Sequence, residues 1–305
     1  STLLASSAAS DVYKRQAQGK AEAIRHYGDL YDFQVVKDGD KLSLGKRKLT
    51  FVTLPMLHWP DSMATYCADD GILFSNDAFG QHYAAAKRFD DEVDLGILFY
   101  EAKKYFANIL WPYAKLIDKA LAKAAALDLK MIATAHGIIW RSHIQEIIAK
   151  YAAWGKGVSG SSVVIAYDTM WGATEQMARA VLEGVVSAGS DAVLLRMNET
   201  PNSTAVADLF EAGGMIIGSS TLNSGMLPTM GSLLVYLKGL NPTGKKAAVF
   251  GTYGWAGGAQ KDMEALLTAA GFELEPGFTC KWKAQPEDLE AARQLGYEFA
   301  RKLQK

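Results

Sequence analysis

The chain has 305 residues, of which 49% are hydrophobic and 21% charged, enough for two domains with ordinary cores at about 100–200 residues each. Its net charge of -1 excludes a binder of nucleic acid or anionic membrane that works through excess basic charge, and no apolar run approaches the roughly 18 residues of a membrane span. Its two cysteines, Cys67 and Cys280, form no CxxC pair, which excludes a thiolate zinc site, an iron–sulfur cluster or a rubredoxin-type module and fits a reducing cytoplasm.

Residues 1–16 are rich in Ser and Ala and show no amphipathic period. They are too weakly apolar for a secretory signal. The stretch Asp11-Val12-Tyr13-Lys14-Arg15-Gln16 reads as a translated linker, so 1–16 is expected to be a non-native leader, with the native protein extending further upstream. Residues 17–154 mix strands and helices. A helix is predicted over 21–27 and strands over 33–36, 41–44 and 49–54, the first two separated by the turn Asp38-Gly39-Asp40. A further strand pair, 66–67 and 72–75, flanks Asp69-Asp70-Gly71. Then follow a long helical region over 95–127, a short strand over 130–134 and a helix over 142–154.

Residues 155–162 hold three Gly and three Ser and read as a flexible linker between domains. Beyond it the rhythm becomes regular. Strands at 163–167, 192–197, 214–218, 246–251 and 273–280 alternate with helices at 175–188, 204–211, 230–237, 259–270 and 286–303. Five strand–helix units over 163–305 predict a doubly wound parallel five-stranded sheet.

Such sheets bind ligands outside the carboxyl ends of their strands, at the switch point. The loop after the first strand carries Thr169, Met170, Trp171, Gly172, Ala173 and Thr174. Thr169, Gly172 and Thr174 fit the T-x-x-G-x-T phosphate loop of the flavodoxins, with a helix N-terminus to supply N–H groups and positive dipole. The loop has no lysine and no G-x-G-x-x-G, so it is neither a nucleotide-hydrolysing P-loop nor a nicotinamide fingerprint. Ser219, Ser220, Thr221, Leu222, Asn223 and Gly225 follow the third strand. Thr252, Tyr253, Gly254, Trp255 and Gly257 follow the fourth. Together the three loops predict an FMN site, with backbone groups for the pyrimidine edge of the flavin and Trp171, Tyr253 and Trp255 for its faces. The competing reading is that these loops are only turns and the aromatic residues only core. Three of them at one sheet edge favour the flavin.

In the N-terminal part, His58, Asp77 and His136 each follow a short apolar strand, where a rigid scaffold can present ligands to one centre. Imidazole and carboxylate suit iron, zinc or manganese, and a carboxylate can bridge two metals. A histidine at a strand end is more commonly structural. His26 and His143 follow no strand and stay under that structural reading. His82, close behind Asp77, is expected to orient a ligand.

The strings LHWPDSM, FSNDAFGQH, AHGIIWR and YDTMWGAT resemble the flavodiiron proteins (A-type flavoproteins). The resemblance spans residue 17 to the end. It implies a partial metallo-β-lactamase-like αββα domain over 17–154 ahead of a flavodoxin-like FMN domain. It implies His58 as a ligand of one iron, Asp77 as the bridge and His136 as a ligand of the other. It further implies electrons from rubredoxin or a similar donor, reduction of dioxygen to water or nitric oxide to nitrous oxide, and a head-to-tail homodimer or higher assembly. The family's H-x-E-x-D-H string, source of four more ligands, does not occur in the 305 residues. Both irons are therefore expected to be under-coordinated. Two rivals are an FMN electron carrier with a metal-free N-terminal dimerisation platform and a metallo-β-lactamase-type hydrolase with a flavin appendage. The hydrolase ranks last, since hydrolysis has no use for a flavin.

Overall fold

The computed structural model describes residues 17–28, 34–157 and 159–304. The chain forms two compact units that meet in sequence at Gly157 and Val158. The expected leader over 1–16 lies outside the described residues, as does Phe33.

The first unit opens with α1 (Ala17–Tyr27) and a five-stranded sheet in the order β1-β2-β3-β4-β5. Its strands are β1 (Lys41–Ser43), β2 (Lys48–Thr53), β3 (Met63–Cys67), β4 (Ile72–Asn76) and β5 (Met131–Thr134). Neighbours run antiparallel except the parallel pair β4–β5. Alternation divides β2 and β3 between two faces: Val52 lies opposite Ala64, and Phe51 opposite Thr65. Ala64, Tyr66 and Leu73 make one cluster, and Phe51, Met63 and Val36 another. The strand predicted over 33–36 does not form; residues 34–37 are irregular.

The predicted helical region over 95–127 is α2 (Leu95–Tyr105), a π-helical turn (Phe106–Leu110), a 3₁₀ turn (Trp111–Leu116) and α3 (Ile117–Ala124). Pro112 explains the change of winding, because it lacks the N–H that an α-helix needs there and crowds the preceding turn. The last helix, α4 (Ile144–Gly155), starts two residues later than predicted. The Asp90 carboxylate is fully buried and accepts the backbone N–H groups of Arg141, Ser142 and His143 at 2.7–3.0 Å. It thereby satisfies donors that a helix start leaves orphaned.

The second unit is a parallel sheet in the order β10-β9-β8-β6-β7, with β11 also on β9. Its strands are β6 (Val163–Asp168), β7 (Ala192–Arg196), β8 (Gly214–Ser220), β9 (Lys246–Tyr253), β10 (Glu273–Leu274) and β11 (Phe278–Lys281). Between them run α5 (Ala173–Ser187), α6 (Asn202–Glu211), α7 (Pro228–Leu240) and α8 (Ala259–Ala269), with α9 (Pro286–Leu303) at the end. β6 and β8 are buried throughout, as central strands covered on both faces must be. One face packs Ile165, Ile216 and Phe250 against Met177 and Val181 of α5 and Phe299 of α9. α5 and α9 approach closely at glycines: a Cβ on Gly184 would fall 1.9 Å from the Arg293 carbonyl oxygen, and one on Gly296 2.1 Å from that of Val181.

The single fifth strand predicted over 273–280 is broken in two. Pro276 has no N–H to give to β9, and the Glu275 carboxylate is drawn to the ammonium groups of Lys246 and Lys302. Both halves still pair with β9, so the strand order is the flavodoxin-like 2-1-3-4-5. Its switch point lies between β6 and β8.

Candidate functional site

Two clusters of chemistry-bearing residues stand out, one in each unit. In the second unit, the carboxyl ends of β6, β8 and β9 frame a cleft of about 640 Å³, within the range that holds small cofactors. Met170, Trp171 and Ala173 line it from the first loop, Ser220, Thr221, Leu222 and Asn223 from the second, and Thr252, Tyr253, Gly254 and Trp255 from the third. Gly172 has φ +84° and caps α5. Its left-handed conformation turns the chain so that the N-terminus of α5 faces the cleft, where helix N–H groups favour an anion.

The hydroxyls beneath the cleft divide their work. Thr169 Oγ1 accepts the Gly172 N–H at 3.1 Å, which leaves its own proton to give. The Thr174 hydroxyl is fully buried and shares hydrogen bonds with Ser220 Oγ at 2.8 Å and Thr252 Oγ1 at 2.9 Å. It therefore ties the three loops together from below. Ser219 Oγ accepts the Leu227 N–H at 3.0 Å. Asp168, also buried, accepts the Thr169 N–H at 2.8 Å and the Thr229 hydroxyl at 2.5 Å, which fixes the loop to α7. In the second loop, Asn223 and Ser224 both have positive φ, and Leu222 and Gly225 exchange backbone hydrogen bonds at 2.9 Å. Gly225 thus closes a tight turn rather than lining the cleft. Gly257 lies on a neighbouring hollow with Gly258 and Ala259.

The cleft has further walls that the three loops did not reveal: Gln176 of α5, and Trp282 and Lys283 beyond β11. The Trp255 and Trp282 rings lie 6.4 Å apart. Trp171 and Trp255 are 91% and 86% exposed, an unusual placing for indoles. The signal for Trp282 was available, because the fifth strand delivers its C-terminus to the same sheet edge. A helix N-terminus for a phosphate, a hydroxyl to donate to it, and flat side chains around a ring-sized space fit FMN.

In the first unit, β4 ends at Asn76 and delivers Asp77, which is buried. Its Oδ2 lies 3.3 Å from His58 Nε2 and its Oδ1 3.1 Å from His136 Nε2. The structure brings the three predicted ligands together, with one carboxylate oxygen facing each imidazole. A bridging carboxylate between two imidazole-bearing metals asks for that division. Three donors are too few to enclose two metals, and among the described residues no group of three or more His, Cys, Asp or Glu is arranged to hold a metal ion. The His82 ring sits edge-on to His136 with centroids 5.6 Å apart, and edge-on to Tyr105 at 5.1 Å. His143 instead faces Asp90, its Nδ1 3.2 Å from Oδ2, a structural pairing.

The ligand loops are held by partners that the local pattern did not mark. The Gln81 amide is wholly buried. It donates to the carbonyls of Phe79 and Ile138 at 3.2 and 3.1 Å and accepts the Ile138 N–H at 2.7 Å. It stitches the Asp77 loop to the His136 loop. Trp140 Nε1 donates to the Phe79 carbonyl at 2.8 Å, and Tyr151 Oη accepts the Phe79 N–H at 2.9 Å. Burial pushes the Tyr151 hydroxyl well above the usual phenol range.

Both units match known families. Residues 8–137 match the ODP family beta lactamase model, and residues 165–296 match flavodoxin. A nitric oxide reductase of Moorella thermoacetica is 45% identical over 283 residues, spanning 91% of this chain and 71% of that protein. The flavodiiron protein of Giardia intestinalis superposes with a TM-score of 0.91 at 35% identity, over 95% of this chain and 72% of that one. The chain belongs to the flavodiiron proteins. Rubredoxin oxygen:oxidoreductase of Desulfovibrio gigas is equally similar in sequence, with a TM-score of 0.89 over 95% of this chain and 74% of that one. The chain spans 58% of the length of the anaerobic nitric oxide reductase flavorubredoxin of Klebsiella pneumoniae, at 38% identity. Membership in the flavodiiron family joins a flavodoxin-like unit that implies FMN to a metallo-β-lactamase-like unit.

Proposed function

We propose that the chain takes electrons from a separate protein donor of the rubredoxin kind, holds them on FMN, and delivers them to a pair of irons that reduces nitric oxide to nitrous oxide or dioxygen to water. The observation that carries this reading is the Asp77 carboxylate, which turns one oxygen to His58 and the other to His136. One carboxylate shared by two imidazoles is the division that a bridged metal pair would use. When bound, FMN supplies a carrier of single electrons, and the irons supply the redox centre that meets the gas.

The chain's own residues then have distinct tasks. Gly172 and the start of α5 receive the FMN phosphate, with the Thr169 hydroxyl donating to it. Tyr253, Trp255 and Trp171 flank the ring and shield it from water. His58, His136 and Asp77 would be this chain's donors to the irons, which would supply the redox chemistry, and Gln81 with Trp140 keeps the two loops that carry them in register. Two chains assemble head to tail, so that the flavin of one serves the iron pair of the other. A cytoplasmic setting belongs to this reading and is supported by Cys67 and Cys280 being free and buried; no described helix is long and apolar enough to cross a membrane. Nitric oxide is the favoured gas, because the relatives named as nitric oxide reductases include one 45% identical to this chain.

The test is to load the chain with FMN and ferrous iron and measure both per chain, then the consumption of nitric oxide and of dioxygen with a reduced rubredoxin as donor. Bound FMN is expected in full, iron is expected to be held weakly by the three donors alone, and gas consumption is expected to follow the iron that binds. Full FMN with no iron would reduce the protein to an electron carrier.

A further inference from the structure

We propose that the first unit contains a gas-holding site: an apolar cavity of about 50 Å³ under the Asp77 loop that takes up a small apolar diatomic molecule before it meets the iron ligands. The proposal rests on the functional reading above only for which gas is taken.

The cavity lies between the sheet and the helices of the first unit. Val52, Ala64 and Leu73 wall it on the strand side, and Leu110, Ile117 and Ala120 on the helical side. Leu110 is the last residue of the π-helical turn Phe106–Leu110, and such turns commonly mark functional sites in helices. Interiors are ordinarily packed without gaps of this size, so an open one beside a site asks for a reason. Leu57 and Ala78, the chain neighbours of His58 and Asp77, line it together with Phe79.

Water has little to gain there. Among the lining residues, the polar side chains are those of Ser75 and Tyr151. Ser75 Oγ donates to the Ala78 carbonyl at 2.8 Å, and Tyr151 Oη is engaged by the Phe79 N–H. A water needs two to four polar partners to settle in a cavity, whereas apolar cavities stay dry and accept xenon. Dioxygen and nitric oxide share the relevant chemistry with xenon: small size, no net charge and weak hydration. The half-buried Leu54, Leu121 and Leu127 complete an apolar lining.

Xenon-pressurised crystals of the full chain provide the test. A xenon peak is expected between Leu57, Phe79 and Ala120 in the wild type and no peak in Ala120→Phe, whose ring fills the cavity. Ala120→Leu, with a smaller side chain, gives the same comparison should the Phe variant not fold. In protein loaded with FMN and iron, the filled variant is expected to raise KM for the gas about tenfold, and to raise it more than it lowers kcat. A wild-type crystal without xenon in the cavity overturns the proposal, and so does an unchanged KM in a variant shown to have lost xenon. Loaded wild-type protein that binds xenon and consumes neither gas refutes the functional reading instead and leaves the xenon site standing.

Discussion

At Gly172, conformation rather than space decides. Its φ is +84°, and an added Cβ would meet nothing within 4 Å. A β-branched residue there suffers backbone strain of about 1–2 kcal/mol or more, without a clash. Gly172→Val is therefore expected to keep the fold but to lower bound FMN by roughly tenfold or more, since about 1.4 kcal/mol is a factor of ten. Gly172→Asn, tolerant of left-handed backbone, should retain more flavin. Flavin absorbance after gel filtration checks both, and equal flavin in Gly172→Val and wild type would remove the phosphate-loop assignment. Lys245 is a residue of another kind. Burial lowers its ammonium pKa from 10.5 to about 8, while Nζ donates to the Ala212 carbonyl at 2.5 Å. Below pH 8 both folded and unfolded chains carry the charge, and burial penalises the folded one in full. Between pH 8 and 10.5 the unfolded chain binds more protons, so stability rises with pH by up to about 3 kcal/mol. Lys245→Met should lack that increment, and the difference between urea midpoints of variant and wild type should narrow over the same range.

Elements are joined here by buried polar groups as much as by apolar faces. Asp90 accepts three consecutive backbone N–H groups ahead of α4 and pairs with His143. Asp90→Asn replaces an oxygen acceptor with an NH₂ that faces other donors. A loss of about 2–3 kcal/mol is expected from hydrogen bonds to a charged group, read as a lower denaturation midpoint; an unchanged midpoint would show that α4 does not depend on this cap. Several features at this scale were hidden in the sequence. An apolar pattern continues across residues 273–280, so the break at Glu275-Pro276-Gly277 was read through, although Pro276 cannot donate to a ladder. The helical stretch 95–127 holds a π and a 3₁₀ turn because apolar spacing reports a helical face and not the hydrogen-bond partner. By contrast, the five strand–helix units of the second unit were legible. Strands such as β6 and β8, buried on both faces, read as plain apolar runs between turn residues.

Over the whole molecule, the legible part of the candidate site was the part written next to strand ends. His58, Asp77 and His136 each follow a short strand, and Asp77 lies 3.3 Å from His58 and 3.1 Å from His136. The supports were not legible, because Gln81 meets Ile138 57 residues away and nothing local marks such a pairing. Trp282 and Lys283 escaped because only the loops after the first, third and fourth strands were considered. The proposed flow of electrons from the flavin cleft of one unit to irons at the Asp77 cluster of the other is open to one direct measurement. Protein loaded with FMN and iron is reduced anaerobically, mixed with nitric oxide, and the return of oxidised flavin absorbance is followed in wild type and in Asp77→Asn. The account predicts equal FMN in both, iron lost from the variant, and flavin reoxidation slowed by at least about 100-fold without the bridging carboxylate. Reoxidation of Asp77→Asn at the wild-type rate would contradict it, for the electrons would then leave the flavin without passing through the irons.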